Sequence, residues 1–285
     1  MLINDKCVIM EKKKFRKGTT KMKKVLITGV ASGIGKAVKD YFLKNGYLVI
    51  GLDIINIPSA PNLKSYLVDI TDENKLKIIK EILQSEQVEL EAIINVAGIH
   101  KMASLVESDF KDLKKVIDIN LLGTMLVNRI FHSLLIKTGR VVMVTSEVAT
   151  LDPMPFNGLY NISKTALDVY AQALRQELNL LKQKVITIRP GAIETPLSNG
   201  SLIDTEKLAT ETILYQKQAY KFLKLTTKFM YTLNMMKLSK PFPKAIRCTL
   251  FKVLSRSSGR AVEGLIPIQI SGLFPRVPSM YRYSE

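Results

Sequence analysis

The sequence predicts an α/β protein in which a doubly wound parallel sheet carries helices on both faces. Strand-like and helix-like segments alternate from Lys24 to Thr195, and a glycine-rich turn directly follows the first strand. Polar residues stand where several later strands end. Because parallel strands end at one edge of their sheet, we expect a ligand site at that edge.

Each element has its own pattern in the sequence. The first strand, "KVLITG", ends at Gly29, and "GKAVKDYFLKNG" then has apolar residues at helical spacing before a glycine stop at Gly46. Helices are expected near 72–85, 107–137 and 158–182. Runs rich in β-branched residues predict the other strands, which are "YLVIGLD", "KSYLVDI", "EAIINVAG", "GRVVMVTS" and "KVITIRPG".

A chain of 285 residues can bury one sizeable core, and no repeat or linker interrupts the alternating part. We therefore expect residues 1–23 to be a flexible basic leader and residues 24–285 to form a single domain. Within that domain, residues 196–285 are expected to form a substrate lid and a carboxyl-terminal extension. Met22 precedes the first strand, so the working protein could also begin there.

Composition argues against several kinds of site. The two cysteines, Cys7 and Cys248, cannot form a disulfide framework, and two histidines make a metal site improbable. We expect no metal and a reducing, cytoplasmic setting. No run of about 18 apolar residues predicts a membrane span.

The net charge of +17 is concentrated at the two ends of the chain. Residues 1–24 carry nine basic residues against two acidic ones, and residues 217–285 carry thirteen against two. The part between them has twenty basic and twenty-one acidic residues. A nearly neutral body gives no reason to expect a nucleic-acid partner.

The glycine-rich turn "TGVASGIG" predicts a dinucleotide site. Gly29, Gly33 and Gly35 allow the backbone to approach a pyrophosphate, which the helix amino terminus then stabilises. Asp53 ends the second strand, where a carboxylate accepts hydrogen bonds from both ribose hydroxyls and repels a 2′-phosphate. We therefore expect NAD rather than NADP. Lys36 is the nearest opposing cation, and we expect it to face solvent.

The motifs together resemble the short-chain dehydrogenase/reductase family, in its single-domain form with a Rossmann-like sheet. The resemblance runs from about Lys24 to Thr195, with the motifs in the family's order. They are "TGVASGIG", "VDI" at 68–70, "NVAG" at 95–98, "DINLLG" with Asn120, "VTS" ending at Ser146, "YNISK" with Tyr160 and Lys164, and "RPGAIET".

The resemblance implies roles for four residues. Tyr160 would be the general acid/base, while Lys164 would lower its pKa and hold the nicotinamide ribose. Ser146 would position the substrate oxygen, and Asn120 would bend its helix to hold a water that links Lys164 to solvent. Cofactor contacts are implied for Gly29, Ser32, Gly33, Ile34, Gly35, Asp53, Asp69, Ile70, Asn95, Ala97, Gly98, Tyr160, Lys164, Pro190, Gly191, Ile193 and Thr195.

Plainer interpretations stay open for single residues. Ser146 could cap a strand end, and Asn120 could be a hydrogen-bonded core amide. His100 is expected in a loop or on the pocket wall, and Glu147 is expected to be a solvated loop carboxylate.

Residues 200–240 are rich in Leu, Met, Phe and Tyr. On a helix, Lys217, Lys221, Lys224 and Lys228 would form one stripe opposite an apolar side. Such a helix suits a lid over an apolar ligand, weak binding to an anionic membrane surface, or ordinary packing on the sheet.

The resulting functional hypothesis is an NAD-linked enzyme that interconverts a secondary alcohol and a ketone with a steroid-, retinoid- or lipid-like substituent. A sugar-nucleotide epimerase usually needs a larger carboxyl-terminal domain than the roughly ninety residues after Thr195. A nucleotide-sensing or nucleic-acid-binding protein without catalysis is the other alternative. Helices 107–137 and 158–182 are candidate contacts of a homodimer or homotetramer.

Overall fold

The computed structural model describes residues 22–191, 193, 195–197, 208 and 212–214. The predicted lysine stripe from Lys217 to Lys228 lies outside these residues, as does nearly all of the predicted leader. Within the described part of the chain, no helix is long and apolar enough to cross a bilayer.

The described residues form one parallel sheet of six strands in the order β3-β2-β1-β4-β5-β6, which confirms the predicted fold class. The strands are β1 (Lys24–Thr28), β2 (Leu48–Asp53), β3 (Leu63–Leu67), β4 (Leu90–Asn95), β5 (Leu135–Val144) and β6 (Lys184–Ile188). The α-helices are α1 (Gly33–Lys44), α2 (Glu73–Ser85), α3 (Phe110–Ile117), α4 (Thr124–Phe131) and α5 (Gly158–Leu180).

The strand order reverses between β1 and β4. The chain proceeds outward from β1 through β2 to β3, and then returns to place β4 on the other side of β1. At such a reversal the loops after the two neighbouring strands separate and leave a crevice at the carboxyl ends. The loops after β1 and β4 are therefore the walls of the expected site.

The sheet is buried on both faces, so its strands are nearly continuous apolar runs. Leu26 and Ile93 face one layer of helices, in which α2 and α4 contribute Leu76 and Phe131. The opposite face packs against α1, mainly through Phe42. Helix α5 covers the β5 and β6 end of the first face, where Leu167 packs on Met143.

The predicted helix over 107–137 differs from the structure in two ways. It begins only at Phe110, and a π-helical segment, Asp118–Gly123, separates α3 from α4. Its predicted end is also wrong, because Leu135–Lys137 opens strand β5, where Leu135 pairs with Leu90 of β4. Pairing with a neighbouring strand has overridden the helical spacing of this short apolar run.

Candidate functional site

The glycine-rich turn is held tightly between β1 and the loop after β4. A Cβ atom at Gly29, whose φ is 72°, would lie 2.9 Å from the Cα of Ala97, and one at Gly35 would lie 1.9 Å from the carbonyl oxygen of Gly29. The hydroxyl of Thr28 accepts hydrogen bonds from the backbone N–H groups of Val96 and Ala97, both at 3.0 Å. Thr28 is the first residue of "TGVASGIG", but the motif gave no indication of this role for its hydroxyl.

The amino terminus of α1 is open to an anion. Ser32 is extended before the helix, its side chain makes no capping hydrogen bond, and the first turn has no acidic residue. The first-turn N–H groups and the helix dipole therefore stay available to a phosphate. Thr195 lies against Gly33, with its side chain 3.4 Å from where a Cβ would be. Ile34 and Ile193 pack on the apolar cluster beneath.

Asp53 lies where the sequence predicts it, at the end of β2 and 9% exposed. One carboxylate oxygen accepts from the N–H of Ala31 at 2.8 Å, and the other accepts from the N–H of Ile55 at 3.0 Å. Each oxygen keeps a second lone pair for a ribose hydroxyl. Lys36 is bonded to Asp40 on the exposed side of α1, as expected.

Three predicted cofactor contacts have side chains that bond or pack within the protein. Asp69 accepts hydrogen bonds from the N–H and hydroxyl of Thr71 in its own turn. Ile70 is buried in the core. The amide of Asn95 is 3% exposed and donates to Asn128 of α4 at 2.9 Å. The side chain of Asn95 therefore ties β4 to α4, so a contact of Asn95 with the cofactor would have to come from its backbone.

Tyr160 and Lys164 project from the same face of α5 into the interior. The ammonium nitrogen of Lys164 lies 5.7 Å from the ring centroid of Tyr160 and donates to the carbonyl oxygen of Val144 at 3.2 Å. A Cβ atom at Gly98 would lie 3.4 Å from that nitrogen and 3.0 Å from the side-chain oxygen of Asn120. The loop after β4 therefore lies against the side chains of Lys164 and Asn120.

Asn120 lies within the π-helical segment and is fully buried. Its side chain accepts from the N–H of Ile99 at 2.7 Å and donates to the carbonyl of Ile99 at 2.8 Å and to the hydroxyl of Ser163 at 2.9 Å. The wider π-helical turn is the local distortion that the resemblance implied. Asn120 thus clamps the loop after β4 to α5.

Ser146 and His100 approach Tyr160 from two loops. Ser146 caps the short 3₁₀ turn Glu147–Thr150, and its hydroxyl hydrogen-bonds with that of Tyr160. The ring of His100 packs edge-on against the Tyr160 ring, and its Nε2 lies 2.7 Å from the side-chain oxygen of Asn157. His100 thus lies in the loop after β4, which is one of its two expected places, and contacts Tyr160 directly.

Burial controls the protonation of the central pair. It raises the pKa of Tyr160 to about 12, against the smaller lowering effect of the hydrogen bond from Ser146. Burial also lowers the pKa of Lys164 to about 8. Burial therefore shifts the pKa of the phenol in the direction opposite to the lowering that Lys164 was expected to cause. The phenol keeps its proton at neutral pH.

Glu147 differs from the expectation of a solvated loop carboxylate. Its backbone N–H donates to the carbonyl of Pro190 at 3.0 Å, and a Cβ atom at Gly191 would lie 2.9 Å from its carboxylate oxygen. The side chain is only half exposed. The carboxylate of Glu147 therefore lies against the backbone of Gly191, where the loop after β6 approaches the loop that begins at Ser146.

Two charged contacts were not identified from sequence. Glu107 accepts from the hydroxyl of Thr212 at 2.6 Å and from the N–H groups of Ile213 and Leu214 at 2.9 and 3.0 Å. The hydrogen bonds, from Leu214 first, lower the pKa of Glu107. The second contact is a buried ion pair between Asp168 and Arg189. The sequence indicated this pair only through the position of Asp168, an acidic residue four residues after Lys164.

A cavity of about 360 Å³ lies beside the amino terminus of α5. Its lining is mostly apolar and includes Leu105, Met154, Phe156 and Gly158. A hydrogen bond of 2.8 Å from the N–H of Ala103 to the carbonyl of Phe156 joins its two walls. Among the residues that the structure describes, no cluster of three His, Cys, Asp or Glu side chains could hold a metal ion.

Comparison with known proteins identifies the class of this fold and site. A model of the short chain dehydrogenase family matches residues 23–205. The NADPH-dependent 1-acyldihydroxyacetone phosphate reductase of Schizosaccharomyces pombe is 32% identical over 199 residues, which cover 67% of each chain. The 3-oxoacyl-[acyl-carrier-protein] reductase FabG of Thermotoga maritima is 33% identical over 208 residues, 66% of this chain and 80% of that protein.

A solved structure agrees with these matches. The short chain dehydrogenase family protein of Francisella tularensis subsp. tularensis SCHU S4 superposes with a TM-score of 0.60 at 28% identity, over 66% of this chain and 76% of that one. The chain therefore belongs to the short-chain dehydrogenase/reductase family. It is an oxidoreductase with an NAD(P)-binding fold.

Proposed function

We propose that this protein reduces a ketone with an apolar substituent to a secondary alcohol, and catalyses the reverse oxidation, with a nicotinamide cofactor. The observation that carries this proposal is the contact of Tyr160 with both Ser146 and Lys164. A mostly apolar cavity is lined by Gly158, two residues before Tyr160 on the same helix. The lipid-like substrates in the names of the two relatives agree with this substrate class.

The described residues fit a dinucleotide. The uncapped start of α1 suits the pyrophosphate, and the turn at Gly29 has no room for a side chain. The cofactor, when bound, supplies or accepts the hydride. Asp53 favours NAD, because its carboxylate would meet a 2′-phosphate with like charge, while Lys36 of α1 is paired with Asp40. This preference would separate the protein from its NADPH-dependent relative in S. pombe.

The chain's own residues would handle the proton. With a pKa of about 12, Tyr160 is a protonated phenol at neutral pH and can donate to the oxygen of a ketone as negative charge develops there. The hydroxyl of Ser146, which hydrogen-bonds with that phenol, would donate to the same oxygen. A protonated phenol is the form that ketone reduction requires, whereas the reverse oxidation requires Tyr160 to lose its proton first.

Lys164 would hold the cofactor and support Tyr160. One of its three N–H groups is used by the carbonyl of Val144, which leaves two for the nicotinamide ribose. Asn120 would act by positioning, since it fixes Ile99 and Ser163 on either side of the lysine. A water relay from Lys164 to solvent at this point is part of the proposal.

The proposal is tested by following reduced-nicotinamide absorbance with a panel of ketones that differ only in alkyl length. Wild-type protein should reduce long-chain ketones, and Tyr160→Phe should lower kcat by about 1000-fold while the Kd for NADH stays within about twofold. Tyr170→Phe is the matched control, because Tyr170 lies on the same helix but bonds to Asn128. Turnover by Tyr160→Phe within about tenfold of wild type would refute the role of the phenol.

The protein should also self-associate through α5 and the π-helical segment. Ile162 and Val169 lie seven residues apart on α5 and are half exposed, and Leu122 and Met125 are exposed on the neighbouring helical stretch. A charge in this apolar face, as in Val169→Glu, should shift the sedimenting species to a monomer. An unchanged sedimentation coefficient would exclude this face as the site of self-association.

A further inference from the structure

We propose that Asp168 is a positioning residue that fixes three segments of the active site relative to one another. Its carboxylate binds Arg189 and Thr145, and it stands on the helix that carries Tyr160 and Lys164. The inference rests on the proposed function, because it concerns the geometry of the same site.

The contact between Asp168 and Arg189 is bidentate and buried. Nε of Arg189 donates to one carboxylate oxygen at 2.8 Å, and a terminal nitrogen donates to the other at 2.6 Å. The two side chains are 7% and 17% exposed. Two parallel bonds between planar groups fix relative orientation as well as distance.

Two further side chains contact the carboxylate of Asp168. The hydroxyl of Thr145 lies 3.3 Å from the first oxygen, and the amide of Gln172 donates to the second at 3.0 Å. The group is therefore hydrogen-bonded on both oxygens, which limits its own freedom to rotate. A carboxylate held in this way can fix the segments that bind it at set distances and orientations to one another.

The three segments joined here each carry part of the site. Asp168 follows Lys164 by one helical turn, Thr145 directly precedes Ser146, and Arg189 directly precedes Pro190. One carboxylate therefore connects the helix that carries Tyr160, the strand end that carries Ser146 and the loop predicted to contact the cofactor. A displacement of about 1 Å in such a geometry can lower a rate by about 100-fold.

Stability alone does not account for a buried ion pair. Apolar side chains of similar volume often replace such a pair without loss of stability, whereas removal of one partner leaves an unpaired charge. A double replacement therefore distinguishes a stabilising role of the ion pair from a positioning role. Asp168→Leu with Arg189→Met would restore stability but remove the directional bonds.

The experiment measures thermal midpoint, kcat and the Kd for NADH of the full chain. We expect the double variant to unfold within a few degrees of wild type, yet to show kcat lowered about 30-fold and NADH affinity weakened about fivefold. Arg189→Lys keeps the charge but loses one bond, and should lower kcat about tenfold at nearly unchanged midpoint. It tests the inference even if the double variant does not fold.

Arg175→Met is the matched control. Arg175 also joins α5 to β6, through the carbonyl of Val185 and the hydroxyl of Thr187, but further from the strand ends. It should lower the thermal midpoint and leave kcat unchanged. Wild-type kcat and NADH affinity in Arg189→Lys, or in a folded double variant, would overturn the inference.

Absence of turnover in wild-type protein would instead refute the proposed function. NADH affinity would then still decide the positioning role, because it requires no ketone.

Discussion

The imidazole of His100 lies edge-on against the phenol of Tyr160, with ring centroids 4.4 Å apart and ring planes inclined at 69°. His100 is itself fixed by Asn157, the residue that precedes α5. An edge-to-face pair of this kind contributes about 1 kcal/mol beyond burial, enough to favour one ring orientation. The loop after β4 therefore helps to orient the predicted proton donor.

Replacement of His100 tests this contact. His100→Ala should lower kcat about fivefold, because the phenol loses the ring that restrains it, while the Kd for NADH stays unchanged. His100→Phe retains an aromatic edge and should keep most of the activity. The measurement is the steady-state kcat of both variants, compared with that of wild-type protein. Equal activity of the alanine variant and wild type would contradict the restraint, and equal loss in both variants would assign the effect to the imidazole nitrogens.

The pH dependence of ketone reduction follows from the two shifted groups. Tyr160, with a pKa of about 12, stays protonated throughout the working range, and Lys164, with a pKa of about 8, loses its positive charge above that value. We expect kcat/KM for reduction to be level between about pH 6 and 7 and to fall above about pH 8. A fall in kcat/KM that begins well below about pH 8 would contradict the assignment to Lys164.

Cofactor choice should depend on Asp53. We expect wild-type protein to favour NADH over NADPH by at least about tenfold in kcat/KM, because the carboxylate opposes a 2′-phosphate. Asp53→Ala should lower the ratio of kcat/KM for NADH to that for NADPH. The same change also removes the acceptors for the N–H groups of Ala31 and Ile55. Asp53→Asn keeps one acceptor oxygen and controls for this loss. A wild-type preference for NADPH would make the protein like its S. pombe relative.

The cavity beside α5 should control selectivity for chain length. Leu105→Trp places a bulkier side chain in a space of about 360 Å³ and should raise KM for a long-chain ketone at least about tenfold more than for a short one. Leu105 is 49% exposed, so the change should not disturb the core. Leu180→Trp, at the far end of α5 and 85% exposed, is the control. Equal KM effects on both ketones would place the alkyl chain elsewhere.

The sequence predicted the parts of the molecule whose signals are local. The glycine turn at Gly29 and the end of β2 at Asp53 each follow a short apolar run, and their places are confirmed. The start of β5 at Leu135 was missed, because only its pairing with Leu90 makes that segment a strand. The bond between Asp168 and Arg189 spans 21 residues and depends on the packing of α5 against β6. The raised pKa of Tyr160 likewise depends on burial by distant segments.

The contacts of Glu107 have a consequence for the order in which the chain folds. Its three hydrogen bonds join residues 105 to 107 positions apart, and contacts between such distant parts of a chain form slowly. The sheet can assemble from shorter-range pairings, so residues 212–214 should dock late and release before the strands separate. In hydrogen exchange, the amides of Ile213 and Leu214 should therefore lose protection by local opening, while the amide of Leu26 in β1 exchanges only on global unfolding.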